Sequence, residues 1–520
     1  MEVLRPKRQS SQTFTVTAPI GGWNAINQLA AMPSNDAVII DNWFCLPTEL
    51  QSRKGYTQWL AVGVLGKFES FIVYRGQDGS QFIFAVSNTG TMWDISTKGG
   101  VPSGVFTGLL NARWKYAQVS TSGGTFTVAV NGADNLKLFN GTTWYTVTGA
   151  STPYAITGVS TALLSDVILH HRRAWFVQKN SMKCWYLGID SIAGAANPYD
   201  FAPLFKLGGS IAKIETWSLD AGAGMDDYFV VITTTGEIAV FSGTDPSSAS
   251  TWSLNGVYFC GSPIGGANCT LKYGGDVLLL NKDGLVPLSQ WLLSSQVNVK
   301  DSISNKIQQK ISDATSQYAS NYGWQVVLNP PQNMLFVNVP ISATESEQYV
   351  MNTISGAWSR FTGVNATCWL FVGDNLLFAK EGKIYNFWDG NNDDGAIIAT
   401  DLLPAFSSFG GTSQIKRFTM ARVSMGYDYS FSFSGKINVD FDISTQPEQP
   451  YNALNDASAG LWDVSLWGEP VWGGDITAFS RWQMASGMGY YGSFRIKTST
   501  KNSSVRYYAT DYVLEGGGVL

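Results

Sequence analysis

An apolar run, a polar turn closing on glycine and a second apolar run recur from about residue 60 to residue 395, and this repetition constrains the fold more than any other feature. "FIFAVSNTGTMWDI" turns near Gly90, "YFVVITTTGEIAVF" at Gly236, "VLLLNKDGLVPL" at Gly284 and "LLFAKEGKIYNFW" at Gly382. In each, a β-prone run precedes a glycine able to take the positive φ that a tight hairpin needs. "FTVAVNGADNLKLF" and "AWFVQKNSMKCWYL" are related hairpins. A second echo, a Gly turn followed by a Trp-bearing strand, runs through "FNGTTWYTV", "NTISGAWSRF" and, with an insertion, "FSGTDPSSASTWSL". Hairpins at such intervals are the pattern of β-propeller blades. A span of about 335 residues at roughly 45–50 per blade predicts six or seven of them. A pair of β-sandwiches is the competing all-β arrangement.

Composition supports the all-β class. Charged residues make up 14% of the 520, against roughly 25% in ordinary soluble domains. Aromatics reach 13% and there are 54 glycines, which suits many short strands better than helices. So few charges also point to a surface largely covered by other protein. A secreted, glycan-covered or membrane-associated chain is the alternative. "MEVLRPKRQSSQTF" has no apolar core of a signal peptide, and no run approaches the roughly 18 apolar residues of a span. The five cysteines are scattered without a C-x-x-C pair, so reduced thiols in a cytoplasmically made protein are expected. Net charge is −5, and the one basic cluster is Arg5, Lys7 and Arg8.

Three regions follow. Residues 1–60 form an N-terminal arm and anchoring segment, 61–395 the propeller, and 396–520 a C-terminal β-domain whose strands alternate differently. In "SFSFSGKINVDFD", Phe431, Phe433, Ile437, Val439 and Phe441 mark one face on either side of a Ser-Gly turn. One helix is expected in "VKDSISNKIQQKISDATSQY", with Ile303, Ile307, Ile311, Ala314 and Tyr318 as its stripe and Asp301 or Ser302 as its cap.

Clusters that would carry chemistry are sparse. The two histidines, His170 and His171, are neighbours in an expected strand, where adjacent side chains face opposite ways. "DGNNDDG" (Asp389, Asn391, Asp393, Asp394) has the alternating oxygens of a calcium loop but lacks the closing Glu, and such residues also dominate ordinary turns. "SNTGTMW" (Ser87–Trp93) is similar to the sialidase Asp-box without its Asp. Trp462, Trp467 and Trp472 suit loop anchoring better than sugar stacking. No catalytic residue, metal or cofactor is expected.

The first sixty residues are denser than scaffold usually is. "PIGGWNAINQLAAMPSNDAVIIDNWFCLPTELQSRKGY" contains Gly21-Gly22, Asp41-Asn42-Trp43, Pro47 and Arg53-Lys54-Gly55. In that order it resembles the N-terminal region of tail hub and nozzle proteins of short-tailed bacteriophages. The Asp393–Ile397 element and the closing "SFRIKTST…VRYYATDYVLEGGG" are similar to the same family. The resemblance implies a virion tail protein, made in the host cytoplasm and built on a β-propeller. It implies a hexameric ring below the portal and adaptor rings, continuing the channel for double-stranded DNA, with tail fibres or spikes as further partners. Asp41, Asn42, Trp43, Arg53 and Gly55 would then be structural anchors, and Arg5, Lys7 and Arg8 an arm toward the adaptor or a neighbouring copy. The hairpin tips at Gly90 and Gly284 would be candidates for channel loops. A propeller that binds or cleaves host glycan is the second functional class.

Overall fold

The computed structural model describes residues 11–63, 66–220, 225–293, 302–444, 451–454 and 476–516. Among them, seven antiparallel meanders follow one another along the chain, six as small sheets of their own and the sixth in order as one end of a ten-stranded sheet. Four consist of four consecutive strands, at 68–106, 115–146, 164–200 and 211–259. The fifth has three strands at 270–287, the sixth four at 325–361, and the seventh three at 369–387. The seventh takes its fourth strand from far upstream: Tyr56–Ala61 pairs antiparallel with Lys383–Phe387. The propeller therefore has seven blades, and its last blade is closed by a strand that precedes the first blade in sequence.

Packing shows that the ring closes. The first strand of each blade contacts the first strand of the next, and that of the seventh contacts that of the first. An apolar cluster fills every gap between neighbouring blades. The gap between the seventh and first blades holds Leu60, Phe68, Val73, Ile83, Leu377 and Ile384. The turn glycines read from sequence take the backbone that reading requires, with φ of 84° at Gly90, 94° at Gly236, 119° at Gly284 and 72° at Gly382.

Two larger sheets form the β-domain. In one, Thr477–Gly489, Lys416–Tyr427, Val505–Gly516, Leu50–Ser52 and Trp43–Cys45 lie side by side, and Gln12–Thr17 adds to Val505–Gly516. In the other, Asp36–Asp41, Ile398–Pro404, Gly492–Thr500, Ser430–Val439 and Tyr451–Leu454 continue the sixth blade through a parallel contact of Asp41 with Arg360. Their shared core, including Phe418, Phe433, Phe494 and Tyr512, runs unbroken into the gap between the fifth and sixth blades. Residues 12–52 are thus largely built into the β-domain rather than forming a separate arm.

Two local expectations change. Ser430–Val439 is one continuous strand with no Ser-Gly turn; a Cβ at Gly435 would lie 2.3 Å from the Phe494 ring, so glycine serves close packing there. The helix begins at Gln308 and ends at Tyr318, and no side chain caps it. Ser302 instead donates to the Leu285 carbonyl at 3.1 Å, tying the connection to the fifth blade, and Asp301 lies outside the described residues. Ile307 and Ile311 are fully buried, as the stripe predicts.

Candidate functional site

The N-terminal motif folds into a junction between the β-domain and the last two blades. Asn42 has a left-handed backbone (φ 58°), which asparagine tolerates better than most residues. Its amide N–H donates to the Arg360 carbonyl at 2.7 Å, and its side-chain amide to the Ala399 carbonyl at 2.7 Å. Its Oδ1 accepts from the Thr362 N–H at 2.8 Å and from Arg53 Nε at 2.9 Å. One side chain thereby bridges the β-domain and the end of the sixth blade.

Arg53 completes the tie. Its guanidinium meets both carboxylate oxygens of Asp393, at 2.8 and 2.6 Å, and donates to the Thr362 carbonyl at 3.0 Å. The Arg53 side chain is 1% exposed and that of Asp393 8%, so the pair is buried and bidentate. Asp41 makes a second bidentate pair with Arg360, at 2.8 and 2.6 Å. Hydrogen bonding to Asp41 outweighs burial and holds the Arg360 guanidinium above its ordinary pKa. Gly55 sits where its backbone N–H reaches the Gly390 carbonyl at 2.9 Å, and a Cβ there would lie 1.7 Å from the Asn392 carbonyl oxygen. Trp43 is fully buried, its ring 6.5 Å from that of Tyr507. Burial, reinforced by Asp393, raises the Tyr56 hydroxyl pKa well above its usual range.

The structure thus brings Asp41, Asn42, Trp43, Arg53 and Gly55 into one region and adds Asp393 from the loop read as calcium-like. Two of that loop's carboxylates meet protein groups, Asp393 the Arg53 guanidinium and Asp389 the Thr57 hydroxyl at 2.6 Å, while Asp394 is exposed. Among the described residues no cluster of metal-ligating side chains is present. A companion contact had no signal in the sequence. Lys306 donates to the buried Asp36 at 2.8 Å and to the Gly21 carbonyl at 2.9 Å, while Asn24 donates to Asp36 at 2.7 Å. Only the third dimension joins residues 270 apart.

The other singled-out residues are dispersed. Arg5, Lys7, Arg8 and the three tryptophans at 462, 467 and 472 lie outside the described residues. Gly90 packs under Leu109, whose carbonyl oxygen would meet a Cβ at 2.6 Å, and Gly284 packs under Ser304. Both turns join the second and third strands of their blades, and neither glycine lines the cavities on the propeller axis. The histidines do not face opposite ways. The chain reverses at His171 and Arg172, with φ of 44° and 62°, and sets the two rings 4.3 Å apart. His170 is buried between the third and fourth blades beside Phe229, with Nδ1 3.1 Å from the Thr216 hydroxyl. Burial first, then His171, lowers its pKa to about 3. All five cysteines are free and buried, and burial raises Cys45 and Cys269 to about 12, so neither is a thiolate near neutral pH.

No protein-family model and no curated protein matches the sequence. Solved structures similar to it include BBS1N in complex with ARL6DN, from a mercury-soaked crystal. That chain is 9% identical, with 66% of this chain and 99% of that one covered at a TM-score of 0.40. The Cps50 (Swd1) β-propeller domain of Myceliophteria thermophila is 12% identical over 64% of this chain and 99% of that one, at a TM-score of 0.36. The blade count rests on the chain's own strand pairing. No helix among the described residues is long and apolar enough to cross a membrane.

Proposed function

We propose that the chain is a structural tail protein of a short-tailed bacteriophage virion, forming a ring below the portal and adaptor that continues the DNA channel. One observation carries this reading. The two sequence elements that resemble tail hub and nozzle proteins, residues 41–55 and Asp393–Ile397, are partners in a single buried junction. That junction ties a propeller to a β-domain within one chain. Its buried charges are paired, Arg53 with Asp393 and Asp41 with Arg360, which suits a scaffold that must hold shape under load. The low charged fraction agrees with a subunit much of whose surface is covered by copies and neighbouring rings.

In this reading the duplex passes between copies. The cavities on each propeller's own axis have volumes of about 340 and 310 Å³, room for small molecules only. A net charge of −5 would leave the DNA wall weakly repulsive to phosphate, letting the duplex slide. The test is the mass of the assembly by light scattering, with and without the adaptor ring, followed by imaging of the tail. Six copies are expected on the adaptor; three copies or one would refute the ring. Saturable binding or turnover of host polysaccharide by the purified chain would favour the glycan-directed alternative.

A further inference from the structure

The first strands of the blades surround a cavity of about 340 Å³ on the propeller axis, lined among others by Glu69, Lys115, Lys213, Glu215, Asn268 and Tyr322. A second cavity of about 310 Å³ shares Lys115, Asn268 and Tyr322 and runs to Arg113, whose side chain is half exposed. The axial space therefore has a route to solvent.

The charges around this space are matched with one exception. Lys213 sits 3.0 Å from the buried Asp166, Arg113 3.0 Å from Glu69, and Lys272 3.8 Å from Glu215. Among the described residues no carboxylate lies within ion-pair distance of Lys115. Its ammonium donates to the Asn268 side-chain oxygen, and among the described residues its other two donors have no protein partner. Lys416, also without a carboxylate, shows the purely structural solution: carbonyls of Gly411, Gln414 and Tyr490 enclose it. Lys115 faces open volume instead. Its side chain is partly buried and lines this polar space, where a bound anion would supply the acceptors its remaining donors lack.

We propose that the axial cavity binds a small oxyanion, a carboxylate or phosphate group, with Lys115 as its counter-charge and Lys213 as the second cation nearby. Entry is past Arg113. The volume fits a small ligand and excludes a polymer strand. Burial, then repulsion from Lys213, lowers the Lys115 pKa to about 8, against the opposing pull of Asp166, Cys269 and Glu215. The anion needs the protonated amine, so affinity should fall as pH rises through that value. The site does not depend on the tail assignment and would stand if that assignment failed.

The experiment uses the full chain at fixed ionic strength. Lysine acylation is followed by mass spectrometry while inorganic phosphate, or in a separate arm succinate, is titrated. Saturable protection of Lys115 of at least several-fold is expected in one or both arms, with Lys98 and Lys272 unchanged; the responding arm identifies the chemistry. The same anion should raise the melting temperature of the wild type and of Lys115→Arg, and leave that of Lys115→Met unmoved. Absence of protection in both arms, or an equal rise for Lys115→Met, would overturn the site. Should Lys115→Met fail to fold, the wild-type footprint decides alone.

Discussion

Replacing Arg53 with methionine is expected to open the seventh blade locally while leaving the distant blades intact. The substitution keeps apolar volume and removes the charge, so Asp393 stays buried without its cation. Breaking a buried ion pair from one side costs about 3–5 kcal/mol. The Thr362 carbonyl also loses a donor, whereas Asn42 Oδ1 keeps the Thr362 N–H. A chain with seven blades and a second domain is not a two-state folder, so global melting would dilute the effect. Native-state hydrogen exchange reads local opening directly. Tyr56–Ala61 begins three residues after Arg53 and holds the blade shut along its pairing with Lys383–Phe387. At about 1.4 kcal/mol per tenfold, its amides should exchange roughly 100- to 3,000-fold faster than in the wild type. Amides of the third blade, at 164–200, should not change. The double variant Arg53→Met, Asp393→Leu removes both charges and should be less open than Arg53→Met alone. Exchange accelerated less than tenfold, or a double variant whose cost equals the sum of the singles, would refute the claim that this pair locks the blade.

Gly55→Ala should be among the most damaging single-methyl changes in the chain, because the new Cβ meets the Asn392 carbonyl at 1.7 Å; soluble yield and exchange at Tyr56–Ala61 check it, and wild-type behaviour would contradict the contact. His170 supplies a pH signature. Its folded pKa of about 3 lies below the ordinary 6.5, so the unfolded chain binds the proton that the folded chain refuses. Its contribution is therefore whole above about pH 6.5 and is lost progressively as pH falls toward 3, roughly 2 kcal/mol by about pH 5. The melting temperature of His170→Gln should fall less between pH 7 and pH 5 than that of the wild type; parallel curves would show that His170 is not buried neutral. If the proposed tail role holds, deleting residues 2–10, which spares the strand Gln12–Thr17, should leave the fold intact while reducing attachment to DNA-filled heads; attachment at the normal yield would make the arm dispensable.

The propeller was legible because its signal is local and repeated. A hairpin announces itself within a dozen residues, through alternation and a glycine where φ must be positive, as at Gly236 and Gly382. The domain limits were less legible, because the segments that set them pair over hundreds of residues. Nothing near Tyr56–Ala61 says that its partner is Lys383–Phe387, so a boundary at 60/61 falls inside that strand. The Gly435 turn failed for a different reason: glycine marks a turn or a close approach equally well, and only the Phe494 ring decides between them. The histidine rings were misplaced because two residues of the expected strand are a turn. Of the junction, one half stood out as a dense motif and the other looked like a calcium loop. Asp, Asn and Gly serve metals, turns and arginine alike, and the partner 340 residues away makes the choice.

The junction's position also explains why one stretch carries so many constrained residues. Between residues 12 and 61 the chain contributes strands to both sheets of the β-domain and then the closing strand of the propeller. Arg53, Lys54 and Gly55 are the passage between those two duties. A closing strand taken from elsewhere in the sequence has no hairpin turn tying it to its blade, so its own pairing and the contacts beside it hold it in place. Arg53 fastens it to Asp393, and the Gly55 N–H fastens it to Gly390, both in the loop that follows the seventh blade's last hairpin. Both ties lie ahead of the ladder at Tyr56–Ala61. Both the short backbone approach and the bidentate charge are needed at the same place. Two neighbouring positions, 53 and 55, therefore tolerate little change for unrelated physical reasons, one electrostatic and one steric.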